Sequence, residues 1–185
     1  MEQEVSLIQM LDARERRVWH QQELLGAYGK PLVCFTMNIA GPVKDSPLIR
    51  RGFARGRQFL ERQFLRCGIR PLKIDLSKAV TGCEAFYVLD ADVLEIKKLT
   101  TLVEDASPLG RLFDMDVLRP DGKKVDREEL HLEGRKCLIC GGPAKVCSSR
   151  RVHTVAELQA RTTAILTETM DTLDAATAAR QAVRA

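Results

Sequence analysis

The spacing of apolar and polar residues predicts a chain that changes repeatedly between helices and strands. Apolar residues recur at helical spacing in four segments: 5–28, 47–67, 93–104 and 153–170. Apolar, β-rich or alternating stretches predict strands in four others: 31–40, 69–76, 84–89 and 113–118. A Pro-Asp-Gly turn at 120–122 predicts a hairpin with one further strand, and residues 171–185 are expected to form a frayed helical tail.

The order of these segments predicts the fold class. A strand, a helix, two strands, a helix and a strand follow one another (βαββαβ), which favours an α+β fold with a largely antiparallel sheet and helices packed on one face. The length favours a single domain over residues 1–185. We expect N-terminal helices, a core at about 30–133, a small knuckle at 137–153, and a C-terminal helix and tail at 154–185.

Composition and charge narrow the classes of function. Hydrophobic residues make up 45% and charged residues 29% of the chain, as in an ordinary soluble globular protein. The net charge of +4 is mild, which favours small anionic ligands or an acidic protein partner over long nucleic acid. No apolar run approaches a membrane span, and the N-terminus lacks the features of a signal peptide. We therefore expect a cytoplasmic protein whose six cysteines are thiols or metal ligands.

The last predicted strand carries two carboxylates. Asp114 and Asp116 alternate with apolar neighbours such as Met115, so both aspartates point to one face of the sheet. Two carboxylates on one face repel each other unless a cation lies between them. Such an oxygen pair suits Mg²⁺, which leaves its remaining positions to water and phosphate. On this pattern alone, the favoured alternative is a pair of aspartates on a solvated face.

A second candidate site lies where a loop enters the predicted helix at residue 47. Asp45 or Ser46 can cap this helix, and the free N–H groups of a helix N-terminus attract anions. The cations Lys44, Arg50 and Arg51 flank the same position, so a phosphate site is one interpretation. The equally weighted alternative is that the arginines contact Asp45 or solvent.

A cluster of thiols and one imidazole follows the predicted core. Cys137 and Cys140 form a Cys-x-x-Cys motif, and Cys147 and His153 follow closely. This set has the ligand chemistry of a closed tetrahedral Zn²⁺ site. The alternatives are metal-free structural thiols and, less favoured, a redox pair. We favour metal-free structural thiols over a bound zinc ion.

Three stretches of the sequence, in order, carry a resemblance to a known family. They are PLVCFTMNIAGPVKDSPLIRRGF, SPLGRLFDMDVL and CLIC…C…H. Together they resemble the citrate lyase holo-[acyl-carrier-protein] synthase family, also called the apo-citrate lyase phosphoribosyl-dephospho-CoA transferases (CitX), over about residues 11–166. The resemblance implies a nucleotidyltransferase that takes 2'-(5''-triphosphoribosyl)-3'-dephospho-CoA. It attaches the prosthetic group to a serine of the citrate lyase acyl carrier protein (gamma subunit) and releases pyrophosphate.

The resemblance also implies roles for particular residues. Asp114 and Asp116 would hold Mg²⁺ (or Mn²⁺) against the triphosphate, and one of them would accept the proton of the serine. The residues expected to bind phosphate are Lys44, Asp45, Ser46, Arg50, Arg51 and Arg111. The Cys/His cluster is expected to be structural. Neither nucleic acid nor a membrane is an expected partner.

Two alternative functions remain at this point. The first is the same chemistry on the carrier protein of malonate decarboxylase. The second is a zinc-stabilised module that binds nucleic acid or protein. In that module the Cys/His cluster would stabilise the fold, and the arginines would contact phosphate groups. The mild charge and the low aromatic content of 5% count against the second alternative.

Overall fold

The computed structural model describes residues 3–182. Its helices are α1 (Leu7–Tyr28), α2 (Pro47–Arg66), α3 (Val93–Asp105), α4 (Ala144–Ser149) and α5 (Val155–Ala182). Its strands are β1 (Leu32–Met37), β2 (Pro71–Ala79), β3 (Gly82–Leu89) and β4 (Phe113–Leu118). Short 3-10 helices lie at Leu109–Leu112 and Arg127–Leu130. The predicted tail is continuous with α5 as far as Ala182, and its last residues, 183–185, lie outside the described residues.

The strands form one antiparallel sheet in the order β2-β3-β1-β4. The predicted α+β class and the βαββαβ succession are confirmed. In this order β4 is an edge strand. The further hairpin strand predicted after residues 120–122 is reduced to an isolated bridge between Leu118 and Lys124. The chain leaves the sheet there because a capping box at Asp126 starts the 3-10 helix Arg127–Leu130.

Both faces of the central strands β1 and β3 are largely covered, whereas the edge strand β2 is mostly exposed. On one face, residues such as Phe35 and Phe113 form the main core with the buried stripes of α2, α3 and α5. On the other face, Leu24 and Leu25 of α1 pack against Phe86. The prediction of helices on one face therefore holds for α2, α3 and α5, while α1 lies on the opposite face.

The start of α2 follows directly from its sequence. The hydroxyl oxygen of Ser46 accepts a hydrogen bond from the N–H of Ile49 (3.2 Å), and Pro47 occupies the first turn. Further along, Gly56 lies so close to the sheet that a Cβ atom there would be 2.5 Å from Cζ of Phe35. Close packing thus fixes α2 against the sheet. Among the described residues, none of the helices combines the length and apolar character needed to span a membrane.

Candidate active site

The two aspartates lie where the sequence predicts them, on one face of β4. Asp114 is opposite Thr36 and Asp116 is opposite Cys34 in the pairing with β1. The residues between them, such as Met115, are buried in the main core, whereas both aspartates are half-buried. They line a cleft of about 220 Å³ at the edge of the sheet, which we call the aspartate cleft. The strand therefore presents two carboxylates side by side on a rigid element.

Cations surround this pair of carboxylates. The ammonium group of Lys124 lies 2.5 Å from Oδ1 of Asp116, and Nη1 of Arg135 lies 4.0 Å from Oδ1 of Asp114. The aspartate cleft is lined by basic and acidic side chains in equal number: Lys97, Lys124, Arg127, Arg135 and Lys145, with Glu104, Asp114, Asp116, Asp126 and Glu128. The cleft is therefore close to neutral, which suits a ligand that brings phosphate and a metal cation together.

The negative charge of Asp116 disfavours ionisation of the neighbouring Asp114. Partial burial raises the pKa of Asp114, and the neighbouring carboxylate of Asp116 raises it further. Lys124 and Arg135 act in the opposite direction and lower the pKa of Asp114. A cation bound between the carboxylates would relieve their repulsion.

A buried carboxylate, Glu104, supports the strand that carries the aspartates. It lies in the last turn of α3 and is only 4% exposed. One of its oxygens accepts a hydrogen bond from the backbone N–H of Met115 (2.9 Å), and the other accepts one from Nη2 of Arg127 (2.7 Å). Met115 lies in an edge strand, so Glu104 supplies the acceptor that a further strand would have provided.

Sequence reasoning missed Glu104, although a signal was present. Lys97, Thr101 and Glu104 follow one another at helical spacing, and all three are buried in α3. A polar stripe on the buried side of a helix indicates partners elsewhere in the fold. Burial lowers the pKa of Lys97, while the charge of Glu104 raises it.

A larger cleft of about 590 Å³ adjoins the aspartate cleft. Its walls come from the loop after β1, from Arg111, from residues 135–154 and from the start of α5. Arg135 lines both clefts, and its Nη2 donates a hydrogen bond to the carbonyl oxygen of Phe113 (2.6 Å). Arg111 donates to the carbonyl oxygen of Lys136. We call this second site the large cleft. Of the predicted phosphate ligands, Arg111 lines it.

The other predicted phosphate ligands lie apart from the aspartates. Lys44, Asp45, Ser46, Arg50 and Arg51 line neither the aspartate cleft nor the large cleft. Arg50 makes two hydrogen bonds to the carboxylate of Asp45 (2.6 and 2.5 Å), which lowers the pKa of Asp45. The alternative in which an arginine contacts Asp45 is thus the one observed for Arg50. A role for these residues in binding phosphate stays a prediction.

Two of these cations also have partners within the fold. The ammonium group of Lys44 donates to the carbonyl oxygen of Ile39 (2.5 Å), and partial burial lowers the pKa of Lys44. Arg51 donates from Nη2 to Oδ1 of Asp174 in α5 (2.6 Å). Both contacts hold neighbouring segments together as the structure stands.

The Cys/His cluster is assembled in three dimensions. One ligand atom from each of Cys137, Cys140, Cys147 and His153 lies within 4.8 Å of the others, so the group could hold a metal ion. Hydrogen bonds from Gly142 and neighbouring side chains lower the pKa of the Cys140 thiol to about 6. The adjacent Cys140 raises the pKa of Cys147 to about 11. Cys140 and Cys147 therefore disfavour each other's ionisation when no cation lies between them.

Comparisons with known proteins identify relatives along most of the chain. The sequence profile of the family described as "Apo-citrate lyase phosphoribosyl-dephospho-CoA transferase" (CitX) matches residues 5–169. A protein of that name from Citrobacter koseri is 34% identical over 162 residues, which are 88% of this chain and 88% of the relative. One from Shigella boydii is 33% identical over 164 residues, which are 89% of this chain and 90% of the relative.

A further relative is a much longer protein. "Protein CitXG" of Haemophilus influenzae is 35% identical over 154 residues, which are 83% of this chain. The same residues are 33% of that protein, so this chain corresponds to about a third of its length.

Proposed function

This chain belongs to the apo-citrate lyase phosphoribosyl-dephospho-CoA transferase family, and we propose from this premise which reaction it performs. It transfers the 2'-(5''-phosphoribosyl)-3'-dephospho-CoA group from the triphosphate precursor to a serine of the citrate lyase acyl carrier protein, and releases pyrophosphate. The family resemblance recognised in the sequence is confirmed, and the chain is a transferase of the nucleotidyltransferase type. The observation that carries the proposal is the carboxylate pair Asp114 and Asp116 in a cleft beside cations.

The donor set of the aspartate cleft fits a magnesium ion. Asp114 and Asp116 offer hard oxygen ligands on one face and are exposed enough to leave room for water and phosphate. When bound there, Mg²⁺ would neutralise charge on the triphosphate and favour in-line attack at the α-phosphorus. The same oxygen donors would accept Mn²⁺.

The side chains around the pair divide the remaining tasks. We assign the binding of phosphate oxygens to Lys124 and Arg135, because they lie beside the two carboxylates. Asp116 is held by Lys124 at 2.5 Å, whereas the contact of Asp114 with Arg135 is longer, at 4.0 Å. We therefore assign proton acceptance from the serine hydroxyl to a carboxylate oxygen of Asp114. A new P–O bond to the serine then forms as the bond to the leaving pyrophosphate breaks.

The large cleft supplies a place for the rest of the precursor. Its volume of about 590 Å³ lies within the usual range for a site that binds a small-molecule ligand. Arg111 and Arg151 line it, and Arg135 connects it to the aspartate cleft. We propose that it binds the dephospho-CoA portion while the triphosphate extends towards Asp114 and Asp116.

The experiment uses the apo carrier protein, the triphosphoribosyl precursor and Mg²⁺, with the carrier weighed by intact mass spectrometry. We expect the wild-type chain to add the mass of the prosthetic group. Asp114→Asn should abolish the gain at equal protein concentration, because it removes one negative charge from the pair and keeps the side-chain shape.

Asp121→Asn provides the matched control. Asp121 lies in the exposed turn after β4, where its side chain accepts a hydrogen bond from the N–H of Lys123 (3.1 Å), and asparagine can accept the same bond. This variant should modify the carrier at the wild-type rate. A normal mass gain with Asp114→Asn would refute the assigned site, and no gain from the wild-type chain would refute the function.

A further inference from the structure

We propose that Cys137, Cys140, Cys147 and His153 bind one Zn²⁺ ion, which folds residues 131–154 into a wall of the large cleft. We call residues 131–154 the knuckle segment. Zinc binding does not depend on the proposed function. The effect of the bound zinc on group transfer, in contrast, rests on the proposed function.

The spacing of the four side chains fits tetrahedral coordination. Their ligand atoms all lie within 4.8 Å of one another, and the sulfur atoms of Cys140 and Cys147 are 3.5 Å apart. Two sulfur ligands about 2.3 Å from a tetrahedral zinc ion are roughly 3.8 Å apart. A disulfide would require a separation of about 2.05 Å. The observed separation is therefore close to the edge of a ZnS₃N tetrahedron and far from a covalent bond.

The backbone around the Cys-x-x-Cys motif is arranged to stabilise thiolates. The N–H of Ile139 points at Sγ of Cys137 (3.5 Å), two residues earlier. The N–H of Gly142 donates in the same way to Cys140, again two residues earlier. Gly141 adopts a left-handed backbone conformation (φ 72°), which favours glycine and turns the chain back under the cluster. Both sulfurs of the motif thus meet a backbone donor that suits a metal-bound thiolate.

The imidazole of His153 supplies an independent observation. Its Nε2 atom is buried and has no hydrogen-bond partner among the described residues. A buried polar atom without a partner carries an uncompensated desolvation cost, which a bound cation in the cluster would offset.

The knuckle segment also lacks the means to fold by itself. None of residues 131–154 is buried, and the regular helix among them is the six-residue α4. Leu138 makes a partial contact with the main core. Segments without a core of their own commonly depend on a metal or a disulfide, and for a structural zinc site the binding energy becomes folding energy. The four ligands span residues 137–153, most of this segment.

The knuckle segment bears directly on both clefts. Arg135 donates to the carbonyl oxygen of Phe113 at the start of β4, and the carbonyl of Lys136 accepts from Arg111. Cys137, Cys147 and His153 themselves line the large cleft. Loss of the metal should therefore loosen the wall of the large cleft and leave the sheet intact.

The test is the zinc content of the purified, reduced chain, measured by elemental analysis. We expect about one zinc ion per chain in the wild-type protein. Cys140→Ser and His153→Ala should lose most of it. Cys67→Ser is the matched control, because Cys67 is an exposed thiol at the end of α2 and outside the cluster; it should keep its zinc.

A second measurement covers the case in which a variant fails to fold. Hydrogen exchange is followed in the wild-type chain before chelation, after chelation and after addition of Zn²⁺. We expect chelation to speed exchange in residues 131–154, to leave β1 and β3 protected, and to be reversed by Zn²⁺ but not by Mg²⁺. A chain that contains no zinc and whose exchange is unchanged by added Zn²⁺ would overturn the proposal. A Cys140–Cys147 disulfide in the purified chain would do the same. Either outcome leaves the transfer assay, and so the proposed function, as a separate question.

Discussion

Replacement of Glu104 by alanine tests whether this buried carboxylate holds the strand that carries the aspartates. Glu104→Ala removes two acceptors at once: the partner of the Met115 N–H and one partner of Arg127. The Met115 N–H lies against the core and has no neighbouring strand on that side. Arg127 keeps its contacts with Asp105 (2.9 and 3.0 Å), so its charge is not left alone.

The size of the effect follows from these contacts. An unsatisfied buried donor costs about 1–3 kcal/mol, and a lost hydrogen bond to a charged group costs about 1.5–3 kcal/mol. We therefore expect Glu104→Ala to lower the free energy of unfolding by about 3–5 kcal/mol, or the melting temperature by roughly 6–20 °C. Glu104→Gln should cost less, because its amide oxygen still accepts from Met115.

The assay is urea denaturation followed by circular dichroism. Glu95→Ala is the control, because Glu95 lies in the first turn of the same helix with an exposed side chain. Its loss should cost less than about 1 kcal/mol. If Glu104→Ala also costs less than about 1 kcal/mol, the assigned support of β4 is wrong.

Two further predictions concern the ion pair near α2 and the packing of that helix. Arg50→Ala should destabilise the protein at neutral pH. Arg50 lowers the pKa of Asp45, so the difference in free energy of unfolding between the wild-type chain and this variant should shrink as the pH falls through the pKa of Asp45. A difference that stays constant with pH in urea titrations would contradict this prediction. Gly56→Ala should destabilise the protein by about 1–3 kcal/mol, because its Cβ would lie 2.5 Å from Cζ of Phe35. Gly26→Ala is the control and should stabilise the protein slightly, because no atom lies within 4 Å of a Cβ there. Equal effects of the two substitutions would refute the close packing of α2.

The sequence was most informative where local pattern decides structure. The alternation around Asp114 and Asp116 predicted a strand with both carboxylates on one face, and the structure has them there. Adjacent residues likewise predicted a cap of α2 at Asp45 or Ser46, and the structure has it at Ser46. Such features depend on neighbours within a few positions, so they can be read from the order of residues alone.

Features that depend on distant residues could not be predicted in this way. Glu104 meets Met115 across 11 positions, and Arg135 meets Phe113 across 22. The face of the sheet that α1 covers depends on how the chain crosses the sheet edge, which periodicity does not encode. The sequence pattern also predicted a strand as far as residue 40, but β1 ends at Met37 and the N–H of Asn38 donates to the carbonyl of Leu112 (2.8 Å).

The cysteines show the same limit at the candidate metal site. From the sequence, metal-free thiols were the favoured interpretation of Cys137, Cys140, Cys147 and His153, and their spacing alone does not show whether the four side chains converge. In three dimensions the ring joins the thiols with a buried, unpartnered nitrogen. That placement, rather than the motif, is what supports zinc.

The most direct test of the proposed function counts pyrophosphate against modified carrier in one reaction. The chain is incubated with Mg²⁺, the triphosphoribosyl precursor and apo citrate lyase carrier protein, or with a carrier whose acceptor serine is replaced by alanine. We predict one pyrophosphate released for each carrier that gains the prosthetic group, and neither product with the alanine carrier. Carrier modification without pyrophosphate, or no modification of the native carrier, would contradict the proposed transfer.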